Sequence, residues 1–191
     1  MISAQANRGR PLEELIIMAN RQYRAQCRAV IHKVPTAWIP LRDSRGRVVN
    51  AKVEEKAAVD FLGTYRGRSL AFDAKHCSGE RIRWDRLEDH QAQFLEDWTR
   101  DGGIGFILVG FGMERFFVVP WTVWREGLLA WKYEGGQASI SLKQMAPDWE
   151  VRLGNRVALD YLQVVDSLWF SEGGNEIDQK RKRTPQVLPH G

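Results

Sequence analysis

Two aspartates face each other across a hairpin that the sequence predicts. Residues 57–63 and 68–75 have the composition of strands, and the Arg-Gly pair between them, at 66–67, is typical of a two-residue turn. In a hairpin closed by that turn Asp60 pairs with Asp73, and directly opposite residues have Cβ atoms about 5 Å apart. Two like charges this close repel each other unless a positive charge lies between them. A divalent cation that prefers oxygen ligands is the expected partner.

Lys75 adds a positive side chain to this pair. Side chains alternate along a strand, so Lys75 projects from the same face as Asp73. Two carboxylates and one ammonium are suitable groups for metal-assisted hydrolysis of a phosphodiester. The acid-x-Lys spacing alone carries little information, because it also occurs at 54–56 and 178–180. An ordinary surface ion pair between Asp73 and Lys75 is the alternative, but it leaves Asp60 unexplained, so we predict a nuclease site.

Two further polar residues lie on predicted helices from which they can reach this site. Glu13 is at the edge of the apolar stripe of a helix over 11–25, where it can supply a third carboxylate or simply favour the helix N-terminus. Gln91 points inward with the apolar face of a helix over 85–100. A buried amide needs hydrogen-bond partners, either at the site beside Lys75 or on the backbone. For Gln91 we favour the site, whereas geometry leaves both interpretations of Glu13 open.

The remaining pattern predicts the framework that positions these residues. Strands are predicted at 29–34, 57–63, 68–75, 104–111 and 116–119, and helices at 11–25, 85–100, 121–131 and 157–169. A polar hairpin at about 41–56 is expected to protrude from the core. The order of helix, strands, helix and strands predicts a single α/β domain over 1–170, with a central mixed sheet flanked by helices. Residues 171–191 are predicted to form a flexible basic tail.

Length and composition are those of an ordinary globular domain. The chain has 191 residues, of which 43% are hydrophobic and 27% charged. No run reaches the roughly 20 apolar residues of a membrane span, no signal-peptide core is evident, and two cysteines suit a reducing cytoplasm. We therefore expect a cytoplasmic protein without membrane association. Basic clusters in residues 1–35 and 180–183 favour nucleic acid, although a solvated basic face gives the same pattern.

Seven segments occur together in an order that is more specific than any single motif. They are the segments at 8–23, 30–36 (VIHKVPT), 59–68 (VDFLGTYRGR), 71–75 (AFDAK), 90–95 (HQAQFL), 102–109 (GGIGFILV) and 153–162. Together they resemble the RecU family of Holliday junction resolvases. The resemblance implies the restriction-endonuclease-like, PD-(D/E)xK nuclease fold, with the 41–56 hairpin as a protruding stalk, called the stalk hairpin below. It also implies a cytoplasmic homodimer that nicks four-way DNA junctions symmetrically with Mg²⁺ or Mn²⁺.

The resemblance also implies roles for the residues identified above. Asp60 and Asp73 are expected as metal ligands, and Lys75 is expected to orient or activate the attacking water. Glu13 takes the place of the acid on the first helix, and Gln91 matches a helix glutamine near the site. Two features depart from the family pattern. Asp73 stands where better-known members carry Glu, which can alter the metal preference, and the stalk hairpin is shorter than the family's stalk, which bears on junction selectivity.

The corresponding mechanism adds a main-chain ligand, a dimer and a DNA-binding surface. The carbonyl oxygen of Ala74 joins the two aspartates as a metal ligand, and hydrolysis leaves a 5′-phosphate and a 3′-hydroxyl. A two-fold dimer supplies both of the paired nicks. Basic residues at the N-terminus and on the stalk hairpin are expected to contact DNA phosphates. They are Arg8, Arg10, Arg42, Arg45, Arg47, Lys52 and Lys56.

Two other functions fit parts of this pattern. A nuclease of the same fold that cuts ordinary duplex is disfavoured, because the sequence contains no appended specificity domain. A non-catalytic junction-binding recombination factor is disfavoured, because an inactive descendant has no need for the intact charged cluster of Asp60, Asp73 and Lys75.

Overall fold

The computed structural model describes residues 10–154 and 156–171. Within them, the α-helices are α1 (Arg10–Ala25), α2 (Asp89–Arg100), α3 (Trp121–Tyr133) and α4 (Tyr161–Trp169). The strands are β1 (Ala29–Lys33), β2 (Ala37–Arg42), β3 (Val48–Glu55), β4 (Phe61–Tyr65), β5 (Arg68–Cys77), β6 (Arg81–Arg83), β7 (Ile104–Phe111), β8 (Arg115–Pro120), β9 (Ser139–Ser141) and β10 (Glu150–Val151).

A six-stranded mixed sheet in the order β1-β4-β5-β7-β8-β10 lies at the centre of the fold. β5 and β7 pair in parallel, and the other neighbouring strands pair antiparallel. Parallel neighbours need a crossover connection, and α2 lies in the one that joins these two strands. β7 is buried along its whole length, as expected for a strand covered on both faces. The mixed sheet predicted from the sequence is confirmed.

Hydrophobic residues on the two faces of this sheet form two clusters. Along β5, Leu70 and Phe72 belong to the cluster that contains residues of α1 and α4, whereas Ala71 belongs to the cluster of α2 and α3. Side chains alternate along a strand, so Asp73 and Lys75 are directed to the face that α2 covers. The helices therefore flank the sheet on both sides, as the sequence predicted, and α1 and α2 lie on opposite faces.

The β4–β5 hairpin has the predicted register and a shorter first strand. Phe61 pairs with Phe72, and Arg66-Gly67 forms the two-residue turn. Both turn residues have positive φ, at 49° and 78°, a geometry that suits the twist of a tight hairpin. β4 begins four residues later than predicted, and its pairing with β5 starts at Phe61 and Phe72. Beyond that pair the N–H of Ala74 donates to the side chain of Asp60, at 2.9 Å, and not to a main-chain carbonyl of β4.

The stalk hairpin extends over 37–55, where β2 and β3 form a separate two-stranded sheet. It begins four residues earlier than predicted, because the polar pattern that predicted it starts only at 41, whereas the first residues of β2 are more apolar; Trp38 among them is 59% accessible. Its turn is closed by the carboxylate of Asp43, which accepts the N–H groups of Arg45 and Arg47 at 2.9 Å each. The predicted protruding hairpin is therefore present and longer than expected.

Two helices begin later than their apolar patterns suggested. α2 begins at Asp89 rather than near 85, because residues 84–86 form a short 3₁₀ turn and Glu88 then caps the helix in a capping box with Gln91. α4 begins at Tyr161 rather than 157. The end of α2 is as predicted, because Gly102 adopts a positive φ of 101° just after its last turn.

The predicted basic tail lies outside the described residues from 172 onward, so its separation from the domain stays a prediction. Among the helices of the described residues, none has the length and apolar character needed to cross a membrane.

Candidate active site

Asp60 and Asp73 lie next to each other at one end of the sheet. Asp60 directly precedes β4 and its Oδ2 accepts the N–H of Ala74 at 2.9 Å. Asp73 lies in the middle of β5, has an exposure of 0% and is close enough to Asp60 for the Asp60 carboxylate to raise the pKa of Asp73. The hairpin thus brings together the two carboxylates that its register predicted.

The environment of Asp73 makes its ionisation costly. Its Oδ1 accepts a hydrogen bond from Nε2 of Gln91 at 2.6 Å, and its Oδ2 forms a close ion pair with Nζ of Lys75. Burial raises the pKa of Asp73 to about 7, against the opposing effect of the Lys75 ammonium and with a smaller contribution from Asp60 in the same direction. Among the described residues, Oδ2 has the Lys75 ammonium as its charged partner but no hydrogen bond of ordinary geometry.

Gln91 connects these groups to the start of α2. Its Oε1 accepts both Nζ of Lys75 at 3.2 Å and the main-chain N–H of Glu88 at 3.1 Å. Because its Nε2 is bonded to Asp73, a single amide holds the ammonium and the carboxylate at fixed positions. The inward direction predicted for Gln91 is confirmed, as is its contact with Lys75.

Glu13 lies at the same end of the sheet but in a different environment. It forms an ion pair with Lys33 of β1, and Lys33 is paired with Phe61 in the sheet. α1 packs on the sheet face opposite to α2. Glu13 therefore lies on the other face from Gln91 and Lys75, and its basic partner is Lys33 of β1. The described residues contain no group of three or more His, Cys, Asp and Glu side chains that could hold a metal. A third-acid role for Glu13 therefore stays a prediction without support from its contacts.

The donor set at Asp60 and Asp73 fits a divalent cation. Both are carboxylates, the ligands that hard cations prefer, and Oδ2 of Asp73 is a buried oxygen without a well-directed donor. Mg²⁺ commonly binds one or two protein carboxylates and completes its shell with water and substrate phosphate. The carbonyl oxygen of Ala74 is the main-chain group between Asp73 and Lys75, so it remains the expected third protein ligand. The absence of a third acidic side chain in the described residues is compatible with such a site.

The basic residues predicted to bind DNA lie in two regions, the N-terminus and the stalk hairpin. Arg8 lies outside the described residues, and Arg10 is the first residue of α1. The five on or beside the stalk hairpin are exposed; they are Arg42, Arg45, Arg47, Lys52 and Lys56. Two have acidic partners: Arg47 pairs with Asp43 at 2.9 Å and Lys56 pairs with Glu88 of another element at 2.5 Å.

Sequence reasoning missed Glu88 as a neighbour of the site. The available signal was the Glu88-x-x-Gln91 spacing of a capping box, which predicts that the Gln91 side chain bonds back to the helix start. Two further polar side chains nearby, His90 and Cys77, contact main-chain carbonyl oxygens. Nε2 of His90 is 3.2 Å from the carbonyl oxygen of Ala57, and Sγ of Cys77 donates to the carbonyl of Arg81.

Comparison with known proteins gives a consistent result. The chain matches the model of the family described as RecU, recombination protein U, over residues 7–167. It is 32% identical to the Holliday junction resolvase RecU of Lactobacillus delbrueckii subsp. bulgaricus over 172 residues, which are 85% of this chain and 81% of the relative. It is 30% identical to the protein of the same name from Geobacillus kaustophilus, over 87% of this chain and 86% of the relative.

Among solved structures, the Holliday junction resolvase Hjc of Archaeoglobus fulgidus matches 61% of this chain and 77% of its own, with 12% identity and a TM-score of 0.37. A likeness this weak adds no weight to the assignment, which rests on the family model and on the relatives in sequence. The chain belongs to the RecU family.

Proposed function

We propose that this chain is a metal-dependent endodeoxyribonuclease that resolves four-way DNA junctions by paired symmetric nicks. The observation that carries the proposal is the buried Asp73, held by Gln91 and Lys75 directly beside Asp60. Its sequence relatives bear the name Holliday junction resolvase, and this cluster supplies groups suited to such a reaction.

The two aspartates, with the carbonyl of Ala74, are the residues that would hold the divalent cation. When bound, that cation supplies Lewis-acid activation of the phosphate and lowers the pKa of water. Mg²⁺ or Mn²⁺ matches these oxygen ligands. Asp73 must be ionised to act as a ligand, and because burial raises its pKa to about 7, a nearby positive charge favours the form that the reaction needs.

Lys75 is placed to act on the attacking water. Its side chain is 13% exposed, so the ammonium lies at the boundary between the buried carboxylate and the surface from which a phosphate approaches. Gln91 keeps Nζ in this position. We infer that Lys75 orients the water and stabilises the charge that develops on the phosphate, which leaves a 5′-phosphate and a 3′-hydroxyl.

Recognition of the junction is assigned to the stalk hairpin. Its exposed basic side chains, with Arg8 and Arg10 at the N-terminus, would bind phosphates near the crossover. The described residues of one chain provide one cluster of this kind, whereas resolution needs two symmetric nicks. A two-fold homodimer supplies the second.

The decisive experiment is cleavage of a labelled, immobile four-way junction beside linear duplex of the same sequence. Each substrate is incubated with Mg²⁺, with chelator, and with the Asp73→Ala variant. Asp85→Ala is the matched control, because Asp85 is a partly exposed aspartate paired with Arg83. Paired, Mg²⁺-dependent nicks in the junction alone, lost only with Asp73→Ala, are the expected result.

Three other results would contradict the proposal in different ways. Equal cutting of both substrates would indicate a duplex nuclease. Tight junction binding without cutting under either Mg²⁺ or Mn²⁺ would indicate a non-catalytic recombination factor. Cutting that survives Asp73→Ala would place the active site elsewhere.

A further inference from the structure

The segment that leaves the stalk hairpin contacts the first turn of α2. Nζ of Lys56 is 2.5 Å from Oε2 of Glu88, and Nε2 of His90 is 3.2 Å from the carbonyl oxygen of Ala57. Lys56 and Ala57 directly follow β3. One side-chain contact and one main-chain contact thus connect the base of the stalk hairpin to two residues at the start of a single helix.

The same helix turn holds the active-site side chains. The N–H of Glu88 donates to Oε1 of Gln91 at 3.1 Å, and this oxygen also accepts Nζ of Lys75 at 3.2 Å. The opposite end of the amide donates to Asp73 at 2.6 Å. A displacement of Glu88 therefore moves Oε1 of Gln91, which is the acceptor for Lys75. Because the amide is planar, Nε2 of Gln91, which donates to Asp73, moves with it.

The segment that leads from β1 into the stalk hairpin is also bonded to the site. The N–H of Val34, shortly before β2, donates to the carbonyl oxygen of Asp60 at 2.8 Å. The side chain of Asp60 accepts the N–H of Ala74. The segments that enter and leave the stalk hairpin are therefore both connected to the carboxylate pair: the entering segment is bonded to Asp60, and the leaving segment reaches Asp73 through Glu88 and Gln91.

We propose that Glu88 is a positioning residue that couples the stalk hairpin to the active site, so that four-way DNA bound on the hairpin sets the geometry of Lys75 and Asp73. This inference rests on the proposed junction-resolving function. Glu88 does not contact the reacting atoms; it acts through Gln91. The consequence is substrate selectivity. DNA that does not contact the stalk hairpin does not set the geometry of Lys75 and Asp73 through Glu88, and it is therefore cut slowly.

Helix capping alone does not account for these contacts. A capping box needs only a polar side chain at position 88 and a hydrogen bond from the main-chain N–H of that residue to the side chain of Gln91. The ion pair with Lys56 extends beyond that requirement and reaches another element. The two roles can be separated, because Asp at this position caps a helix well but is one methylene too short to keep the contact with Lys56.

The test compares Glu88→Asp with Asp89→Asn. Asp89 is the next residue of the same helix turn, but its ion pair is with Lys132 of α3, so it controls for loss of a charge or an ion pair at this helix start. The first readout is the single-turnover cleavage rate at saturating junction. We expect a fall of about three- to five-fold for Glu88→Asp, the upper end of the scale of one exposed ion pair, with junction affinity and melting temperature unchanged.

A double-mutant cycle adds a readout that a purely structural role would not change. If Glu88 acts through Lys56, the double variant Lys56→Met/Glu88→Asp has the same rate at saturating junction as the slower single variant. Additive losses, or a Glu88→Asp rate equal to that of Asp89→Asn, would overturn the proposal.

Hydrogen exchange in the first turn of α2 tests the coupling independently of cleavage. With junction bound in Ca²⁺, exchange of a peptide spanning 86–92 should slow in the unmodified protein and with Asp89→Asn, but not with Glu88→Asp. If the unmodified protein shows this protection and never cleaves, the coupling stands and the proposed function fails. If it cleaves and Glu88→Asp alters neither rate nor protection, the proposed function stands and the coupling is wrong.

Discussion

Gln91 donates a 2.6 Å hydrogen bond from α2 to the buried carboxylate of Asp73 in β5. The helix lies in the crossover connection between β5 and β7, which pair in parallel, so the bond ties this connection back to the strand where it starts. It fixes the orientation of a carboxylate that has no exposure to solvent, and the oxygen of the same amide holds Lys75. One side chain thus sets the position of the Asp73 carboxylate relative to the Lys75 ammonium.

Replacement of Gln91 by Ala should reduce cleavage much more than it reduces junction binding. The change leaves Oδ1 of Asp73 without its donor and Lys75 without its amide acceptor, and the loss of one buried hydrogen bond costs about 1–3 kcal/mol. We expect a fall of roughly 10- to 100-fold in the single-turnover rate. Gln93→Ala is the matched control, because Gln93 is exposed on the same helix and contacts Asp97. Equal rates for the two variants would contradict the role given to Gln91.

Replacement of Lys75 by Met should abolish most cleavage while junction affinity is retained. The substitution keeps much of the aliphatic volume and removes the ammonium that pairs with Asp73. Because that ammonium opposes the raised pKa of Asp73, its loss also favours the protonated carboxyl. We expect a rate at least about 100-fold lower, measured in single-turnover assays with gel-shift affinity as the reference. Cleavage within a few-fold of normal would exclude a catalytic role for Lys75.

The stability of the metal-free protein should fall as pH rises from about 4 to 7. The pKa of Asp73 is raised from 3.8 to about 7 in the folded state, so the folded protein binds this proton more tightly than the unfolded chain does. The stabilising contribution is fully present below 3.8 and is lost as pH rises through the folded pKa. Asp73→Asn removes this ionisation, and we expect a gain in melting temperature in chelator that is larger at pH 8 than at pH 5.

The control for this pH effect is Asp85→Asn. Asp85 is hydrogen-bonded to Arg83, which lowers the pKa of its carboxyl, so its removal should give no gain at pH 8. An equal gain from Asp73→Asn at both pH values would show that ionisation of Asp73 is not the source of the effect.

Charge reversal of Arg45 and Arg47 to Glu should weaken junction binding and spare metal binding. Both are exposed on the turn of the stalk hairpin, and phosphate contacts contribute through the release of counterions. The variant should bind the junction at least about 10-fold less tightly at low salt, with a shallower salt dependence. The measurements are gel shift over a salt series and Mn²⁺ binding by calorimetry. Unchanged junction affinity would remove the stalk hairpin from the DNA-binding surface.

Gly63→Ala should destabilise the edge of the sheet that carries Asp60. A Cβ at this position would lie 2.3 Å from the carbonyl oxygen of Val30 and 2.6 Å from Cα of Ile31, and main-chain atoms of a paired strand cannot move aside cheaply. We expect a loss of about 1–3 kcal/mol in the free energy of unfolding, measured with denaturant. Gly79→Ala, where no atom lies within 4 Å of the added Cβ, should be nearly neutral.

Much of this site could be predicted from the sequence because its main contacts are local or periodic. The turn at Arg66-Gly67 fixes the register that brings Asp60 to Asp73, and period-two alternation places Lys75 on the same face. The helical period directed Gln91 inward, as the structure confirms. These inferences need no knowledge of how distant elements pack.

The features that could not be predicted depend on packing between distant elements. The partner of Glu13 is Lys33, which follows from the packing of α1 on the face away from α2. The contact of Glu88 with Lys56 depends on where the stalk hairpin leaves the sheet. The start of the stalk hairpin at Ala37 was also not predicted, because its first residues are apolar and a sequence pattern does not distinguish a buried strand from an exposed one that carries hydrophobic residues.

The connection of β4 to β5 by two residues has a consequence for the order in which the site forms during folding. Closure of a short hairpin takes microseconds and requires no distant contacts, so we expect Asp60 and Asp73 to come together early in folding. The parallel pairing of β5 with β7 encloses the whole crossover that carries α2, and such non-local pairing is intrinsically slower. We therefore expect Gln91 to reach Lys75 and Asp73 only late in folding, so that a chain halted before that step holds the carboxylate pair without the amide that orients it.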